Sequence, residues 1–287
     1  MKNICIKLFL IIVVLGSFIS CEDEEVYTPD ERFVVQAYLY AKEPAWDITI
    51  RNAVPLTVAD SVGEPINDAK VTLYKNDIAY QLVSNSDTGT YWYPGDDLTI
   101  ETGDNFYIEA EVAGKVASGE TSVPDSPEGV VMSQETIKLP EINVDGGFDF
   151  AALRALQDSM RSINLEVLWD NPDSELHFVV IENAEENQES IMPDLGGGFG
   201  MAGGRGAFRM VKRPTRESSQ QINMSEIQYW GKYIVKIYRV NQEYADLYEN
   251  LEQDSRDLNE PPTNIKGGLG IFSAFNSQNV YFQVKKQ

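Results

Sequence analysis

Short runs of alternating apolar and polar residues fill the first third of this 287-residue chain and constrain its fold more than any other feature. Such runs occupy residues 33–40, 47–54, 69–74 and 90–93, and a further pair at 106–112 and 115–123 is joined by Ala113-Gly114. A period of two between breaks at Gly, Pro and Asp is typical of antiparallel strands. We therefore expect residues 32–123 to form a β-sandwich of immunoglobulin-like or transthyretin-like type.

Pro124 and Pro127 predict a domain boundary after residue 123, since two prolines so close exclude helix and disfavour a central strand. The remainder, residues 124–287, alternates again over 162–169 and loosely over 232–240, and residues 176–181 form a denser apolar run; all three predict strands. Apolar residues at helical spacing predict short helices over 150–161 and 242–257, the second capped by Asn241. The fold class expected is mainly β: the N-terminal sandwich, then a second β-rich domain with one or two short helices.

The N-terminus has the pattern of a signal peptide, residues 1–20. Lys2 and Lys7 flank the start of an apolar run over 8–15, and small residues follow. That run is well short of the ~20 residues needed to cross a bilayer. The sequence Phe18-Ile19-Ser20-Cys21 resembles the lipobox of bacterial lipoproteins, which implies cleavage before Cys21, acylation of its thiol and a membrane anchor made of lipid. The alternative is an ordinary signal peptide with a chance cysteine.

An acidic run, Glu22-Asp23-Glu24-Glu25, directly follows Cys21. It resembles the surface-export signal of Bacteroidota lipoproteins, which implies an outer-membrane protein facing the cell exterior. The alternative is a self-repelling tether without an address. Under both interpretations residues 21–31 form a flexible acidic tether.

Charge and cysteine content exclude several classes of function. Loss of Lys2 and Lys7 with the signal peptide leaves 21 basic against 45 acidic residues, a net charge of −24. This charge argues against nucleic acid or an anionic membrane surface as partner. Cys5 leaves with the signal, so the chain after Cys21 has no thiol for a disulfide or a nucleophile.

Residues 192–216 contain seven glycines and predict a long loop, which is functional or disordered in most proteins. Its Gly198-Phe199-Gly200-Met201-Ala202-Gly203 has dinucleotide-loop spacing, but no strand precedes it and no helix follows, so no cofactor is predicted. Its second half is free of acids and predicts a partner-binding surface, for an acidic protein or lipopolysaccharide phosphates, formed by Arg205, Arg209, Lys212, Arg213 and Arg216. A solvated, mobile loop is the equal alternative.

Catalytic groups are scarce. The one histidine, His177, stands in an apolar run and is interpreted as a packed residue. Without a second histidine or a free cysteine, ordinary zinc sites and Ser-His-Asp or Cys-His sites are excluded. The many carboxylates leave a glycosidase-like pair open, and calcium ligands compete with solvated turn acids at two sets: Asp96, Asp97 and Asp104, and Asn143, Asp145 and Asp149. The chain is therefore not expected to be an enzyme or a metal protein.

Aromatic residues suggest a second kind of site. Trp46 and Trp92 are candidates for stacking against sugar rings. Strand alternation places Trp92 on one face and both Tyr91 and Tyr93 on the other, and one of these faces is expected to be core.

The last quarter of the chain carries a family resemblance. Residues 262–272, PTNIKGGLGIF, resemble the closing motif of a family of Bacteroidota lipoproteins known only as a domain of unknown function. The helix expected near 244–251, residues 33–40 and residues 65–73 are also similar to that family, so the resemblance runs from about Arg32 to the C-terminus. The glycine-rich insert around 196–206 is not part of its pattern. The motif's glycines and apolar anchors by themselves predict a structural turn leading into a core strand.

Genes for such lipoproteins often lie beside those for TonB-dependent outer-membrane receptors. The resemblance therefore implies a non-enzymatic accessory to such a receptor, which captures a ligand or assists nutrient uptake. A free-standing glycan-binding module or adhesin is the alternative, and a hydrolase with two carboxylates ranks last.

Overall fold

A computed structural model describes residues 32–54, 62–85, 87–142, 149–192, 208–251 and 262–287. Arg32–Gln287 forms one compact unit. The signal peptide, Cys21, the acids Glu22 to Glu25 and most of the glycine-rich loop, with Arg205, lie outside the described residues.

The described residues are mostly strand, which confirms the expected fold class. The strands are β1 (Phe33–Tyr40), β2 (Asp47–Asn52), β3 (Lys70–Lys75), β4 (Ile78–Gln81), β5 (Val83–Asn85), β6 (Thr90–Trp92), β7 (Asn105–Val112), β8 (Lys115–Ser122), β9 (Glu128–Met132), β10 (Thr136–Leu139), β11 (Leu165–Asp170), β12 (His177–Asn183), β13 (Arg209–Val211), β14 (Ser219–Ile222), β15 (Gly231–Val240) and β16 (Leu269–Lys286). The helices are α1 (Phe150–Ser162) and α2 (Gln242–Leu251), and Met224–Glu226 is a 3₁₀ turn.

Three sheets arrange these strands. The largest has the order β13-β12-β15-β16-β1-β2-β6-β5, with β10 also paired to β16. A four-stranded sheet has the order β4-β3-β7-β8, and a three-stranded sheet the order β14-β11-β9. The first half of β16 pairs parallel with β1, and its second half pairs antiparallel with β15.

Strand β16 contributes to two hydrophobic cores. Its side chains alternate between the faces of the sheet, so all even-numbered residues share one face. Phe272 and Ala274 pack in the first core with β1, β3 and β7, whereas Phe282 and Val284 pack in the second with β11, β12 and β15. One continuous strand therefore links the two sandwiches.

The sequence patterns locate most elements of the first sandwich to within two residues. The strand over 33–40 and the hairpin across Ala113-Gly114 are confirmed, as are both helices within the described residues. Segments on both sides of residue 123 share the large sheet, while each has its own core. The 18-residue length of β16 was not expected, because only its start carried a pattern.

Asn241 stands at the N-cap position of α2, and its backbone carbonyl accepts from the N–H groups of Tyr244 and Ala245. Its side-chain amide nitrogen donates to Thr121 Oγ1 at 3.1 Å and to the Ser122 carbonyl at 2.5 Å. Asn241 therefore also ties the start of α2 to the end of β8.

The closing motif is a turn that fixes the entry into β16, as its glycines and apolar residues predicted. Asn264 brackets Phe272: its amide nitrogen donates to the Phe272 carbonyl at 2.7 Å and its amide oxygen accepts from the Phe272 N–H at 2.9 Å. Gly270 has φ +107°, and a Cβ there would overlap the carbonyl of Val35 on the neighbouring strand. Only glycine fits this close approach of two backbones.

Candidate binding surface

The face of the large sheet opposite the two main cores carries a third apolar cluster. Alternation along β12 and β15 sends Val179 and Ile237 into the second core and leaves Phe178 and Tyr238 on the opposite face. Helix α2 lies over this face through Tyr244 and Ala245. We call the rings gathered there the aromatic band: Tyr38, Tyr40, Trp46, Phe178, Tyr238, Tyr244 and Phe275.

Ring contacts run continuously along the band. Phe178 and Tyr238 stack with centroids 4.7 Å apart, Tyr40 lies 6.0 Å from Tyr238 and 5.3 Å from Phe275, and Trp46 lies 6.1 Å from Tyr40 at an interplanar angle of 17°. Contacts of this geometry each contribute about 0.5–1.5 kcal/mol beyond burial of area. The band is therefore a rigid array, buried at its centre and open at Trp46, which is 49% exposed.

Burial keeps Tyr38 and Tyr40 of the band neutral at physiological pH by raising the pKa of each hydroxyl. Burial and then the neighbouring Tyr244 and Asp47 raise the pKa of Tyr38 to about 12. Burial, together with the Asp47 carboxylate, raises the pKa of Tyr40 well above its usual value. The Tyr40 hydroxyl donates to Asp47 Oδ2 at 3.0 Å, which fixes the ring beneath Trp46.

Polar groups surround the open end of the band. Trp46 Nε1 donates to Glu43 Oε2 at 3.4 Å. The negative charge of Glu43 contributes to raising the pKa of both Tyr238 and Lys236. Lys236 Nζ lies 3.0 Å from Glu182 Oε2. Burial by itself lowers the pKa of Lys236, but the hydrogen bond to Glu182 and the charges of Tyr238, Glu182 and Glu43 together raise it above its usual value, so the amine stays charged. We call Tyr40, Glu43, Trp46, Lys236 and Tyr238 the Trp46 shelf.

The two tryptophans proposed for sugar binding are separate. Tyr91 is buried in the first core and Tyr93 packs against it, while Trp92 on β6 is 43% exposed, which confirms the expected alternation. Among the described residues Trp92 has no ring contact within the aromatic band, unlike Trp46. Trp46 is therefore the better supported of the two candidates.

The basic run lies on the edge strand β13 and the turn after it, and much of its charge is paired. Arg209 Nε lies 3.2 Å from Glu182 Oε1, and Lys212 Nζ pairs with Glu226. Arg216 donates to the Ser174 carbonyl at 3.1 Å, and Arg213 is exposed. Acidic residues on other elements, Glu182 and Glu226, pair with basic residues of the run. The positive surface is therefore weaker than the sequence suggested.

His177 is a packed residue, as predicted. It is 2% exposed, its Nδ1 lies 3.0 Å from the Glu175 carbonyl oxygen, and its ring centroid is 5.5 Å from that of Trp169. Burial chiefly lowers its pKa; the Glu175 carbonyl opposes this, and the nearby Arg239 reinforces it. The imidazole is therefore neutral in the folded protein at physiological pH.

An open cleft of about 970 Å³ lies beside His177 and is rich in carboxylates, including Asp125, Asp170 and Glu175. Arg239 crosses it, paired with Glu175 and 3.9 Å from Asp125 Oδ2. Asp125 belongs to the connection between the sandwiches, so these pairs link that connection to β15. Of the charged groups that line the cleft, Arg239 thus pairs with Glu175 and approaches Asp125.

The candidate calcium ligands serve as turn and cap acids where the structure describes them. Asp97 accepts from the Tyr93 hydroxyl at 2.7 Å, and Asp104 pairs with Lys75 at 2.6 Å. Asp149 caps α1 by accepting from the N–H of Ala151 at 2.8 Å. Asn143 and Asp145 lie outside the described residues.

Within the described residues, no three His, Cys, Asp or Glu side chains are grouped so as to bind a metal ion. No helix in this part of the chain is long and apolar enough to span a bilayer.

Sequence reasoning found Trp46 but missed the rest of the aromatic band. The period-two pattern of β1 does place Tyr38 and Tyr40 on one face, which was an available signal. Phe178, Tyr238 and Phe275 come from strands far apart in the chain, and only sheet order brings them together.

A family model described as a domain of unknown function (DUF4249) matches residues 21–279, most of the chain. No curated protein matches the sequence.

Proposed function

We propose that this chain, which belongs to the DUF4249 family of domains of unknown function, is a lipid-anchored surface protein that captures a ligand as a non-enzymatic accessory to a TonB-dependent outer-membrane receptor. The anchor is Cys21, and the acids at 22–25 direct the protein to the outer face of the outer membrane. The tether over 21–31 gives the folded unit freedom to reach a neighbouring barrel.

The observation that carries this proposal is the Trp46 shelf. It combines a half-exposed indole, backed by fixed rings, with a carboxylate and an amine. Binding sites join apolar or aromatic surface to a few placed polar groups in this way. Because the rings are held by their neighbours, little side-chain freedom is lost when a ligand binds.

The basic run is the proposed contact with the receptor. Arg209 and Arg213 are exposed on one edge of the large sheet, whereas Trp46 belongs to the loop before β2. Cationic side chains on an acidic protein favour an acidic partner surface and speed its encounter. The docking and ligand-capture surfaces then adjoin each other, because Arg209 and Lys236 both pair with Glu182.

The test is to tag the native lipidated protein at its C-terminus, where residues 285–287 are exposed. Membranes are extracted in mild detergent and co-purifying proteins are identified by mass spectrometry. Recovery of one stoichiometric outer-membrane barrel is expected. Recovery of the lipoprotein alone refutes the accessory function.

A free-standing glycan-binding module or adhesin is the second candidate, favoured by the exposed ring of Trp46. It predicts carbohydrate binding by the isolated lipoprotein with no barrel recovered. The co-purification therefore separates the two functions.

A further inference from the structure

The open side of Trp46 is suited to a flat ligand. Tyr40 lies nearly parallel to one face of the indole, at 17°, yet the side chain remains 49% exposed. Solvent access is therefore expected through the face turned away from Tyr40. An indole held in this way offers a rigid, flat apolar surface.

The support beneath the indole is fixed from several directions. Tyr40 contacts Phe275 and Tyr238, and its hydroxyl is bound by Asp47. The residues that make these contacts lie on three further strands, β16, β15 and β2. Because Tyr40 is held on several sides, the platform needs no rearrangement to receive a ring. Preorganisation of this kind increases affinity because fewer rotamers are lost on binding.

Hydrogen-bonding groups stand at the edge of the platform. Glu43 supplies carboxylate oxygens as acceptors, and Lys236, close enough to Glu43 for their charges to interact, supplies an ammonium donor. A pyranose ring matches this set, since it has an apolar C–H face and a rim of hydroxyl groups that donate and accept.

Charge further narrows the ligand. Glu43, Asp47 and Glu182 outnumber Lys236 and Arg209 around the shelf, so its local charge disfavours an anionic ligand. The chain as a whole carries a net charge of −22, which repels anionic ligands at longer range. An uncharged sugar is repelled neither by the charges around the shelf nor by the net charge of the chain.

From these observations we infer that the Trp46 shelf is a binding subsite for a pyranose unit of a neutral glycan, which stacks on Trp46 and hydrogen-bonds to Glu43 and Lys236. The inference rests on the proposed ligand-capturing function and names the class of ligand. It holds whether the glycan is passed to a receptor or only retained.

The experiment uses the full-length lipidated protein in detergent. It is screened against immobilised neutral glycans, namely glucans, mannans, xylans and galactans, and the best binder is titrated as a soluble oligosaccharide by calorimetry. Trp46→Ala is expected to weaken binding about tenfold or more, with Trp46→Phe losing less, since phenyl keeps a stacking face. Trp92→Ala, a matched exposed tryptophan outside the band, is expected to bind as the wild type does.

Glu43→Gln provides a second test that leaves the indole in place, with a severalfold loss expected from the weaker acceptor. Binding by no glycan in the screen overturns the inference, as does unchanged affinity in both Trp46→Ala and Glu43→Gln. Equal losses in the Trp46 and Trp92 variants also overturn it.

Co-purification of the receptor is scored separately on the same variants. Glycan binding without a recovered barrel refutes the accessory function and leaves the subsite standing. A barrel lost on Trp46→Ala without glycan binding identifies the shelf as a protein-docking surface and overturns the subsite.

Discussion

Replacing Phe282 by Ala tests whether β16 couples the two sandwiches into one cooperative unit. Phe282 is 1% exposed in the second core and stacks on Tyr233, with centroids 4.9 Å apart at 5°. Truncation of a buried Phe costs about 3–5 kcal/mol, and the lost stacking places this site toward the upper end. That is a large share of the ~5–15 kcal/mol by which domains are stable.

Urea unfolding measures the effect. With a slope of about 3 kcal/mol per molar urea, the midpoint is expected to fall by about 1–1.7 M. Tyr281→Ala is the matched control, because Tyr281 is the adjacent residue on the same strand, 46% exposed, with only a contact to Lys232 to lose. The free energy of unfolding of Tyr281→Ala is expected to be lower than that of the wild type by about 0.5–1 kcal/mol.

The reciprocal variant, Phe272→Ala, decides the question of coupling. Phe272 packs in the first core, whereas the buried tryptophans Trp169 and Trp230 report on the second. If β16 makes the unit cooperative, their fluorescence transition shifts to lower urea in Phe272→Ala and coincides with the loss of circular dichroism. A tryptophan transition unmoved by Phe272→Ala refutes the reasoning and favours two independently folding domains.

Three further outcomes are expected. Gly270→Ala forces its Cβ into a neighbouring backbone and should cost several kcal/mol or prevent folding, whereas Gly114→Ala, with φ +80° and open space, should cost only about 1–2 kcal/mol by thermal unfolding; equal effects contradict the steric argument. Because burial holds the pKa of His177 below its usual value, its contribution to stability is full above about pH 6.5 and is lost as the pH falls through that value toward the folded-state pKa; His177→Gln should lack this loss, and parallel stability curves between about pH 7.5 and pH 5 exclude it. Replacing Arg205, Arg209 and Arg213 together by Ser should reduce recovery of the barrel and leave the thermal stability of the lipoprotein unchanged. An unchanged yield of the complex rejects the docking role of these arginines.

Local periodicity determined much of the fold. The strand at 33–40, the hairpin at Ala113-Gly114 and both helices follow from patterns of a few residues, which need no knowledge of distant contacts. The same holds for His177, whose apolar neighbours in the sequence marked it as a packed residue. The predicted lipid anchor at Cys21 is equally local, and it stays a prediction.

Pairing between strands distant in the chain determined the rest of the fold and the candidate binding surface. The aromatic band draws rings from β1, β12, β15, β16 and α2. Arg209 finds Glu182 across the β12–β13 pair, which moderates a basic run that sequence alone left unopposed. Strand β16 extends through two cores because successive partners pair with its backbone: β1 over residues 269–275, β15 over 275–284 and β10 over 283–286. The sequence alone determined which residues alternate and where the chain turns; sheet order decided which faces meet, because it joins residues too far apart in the chain for any local pattern to relate.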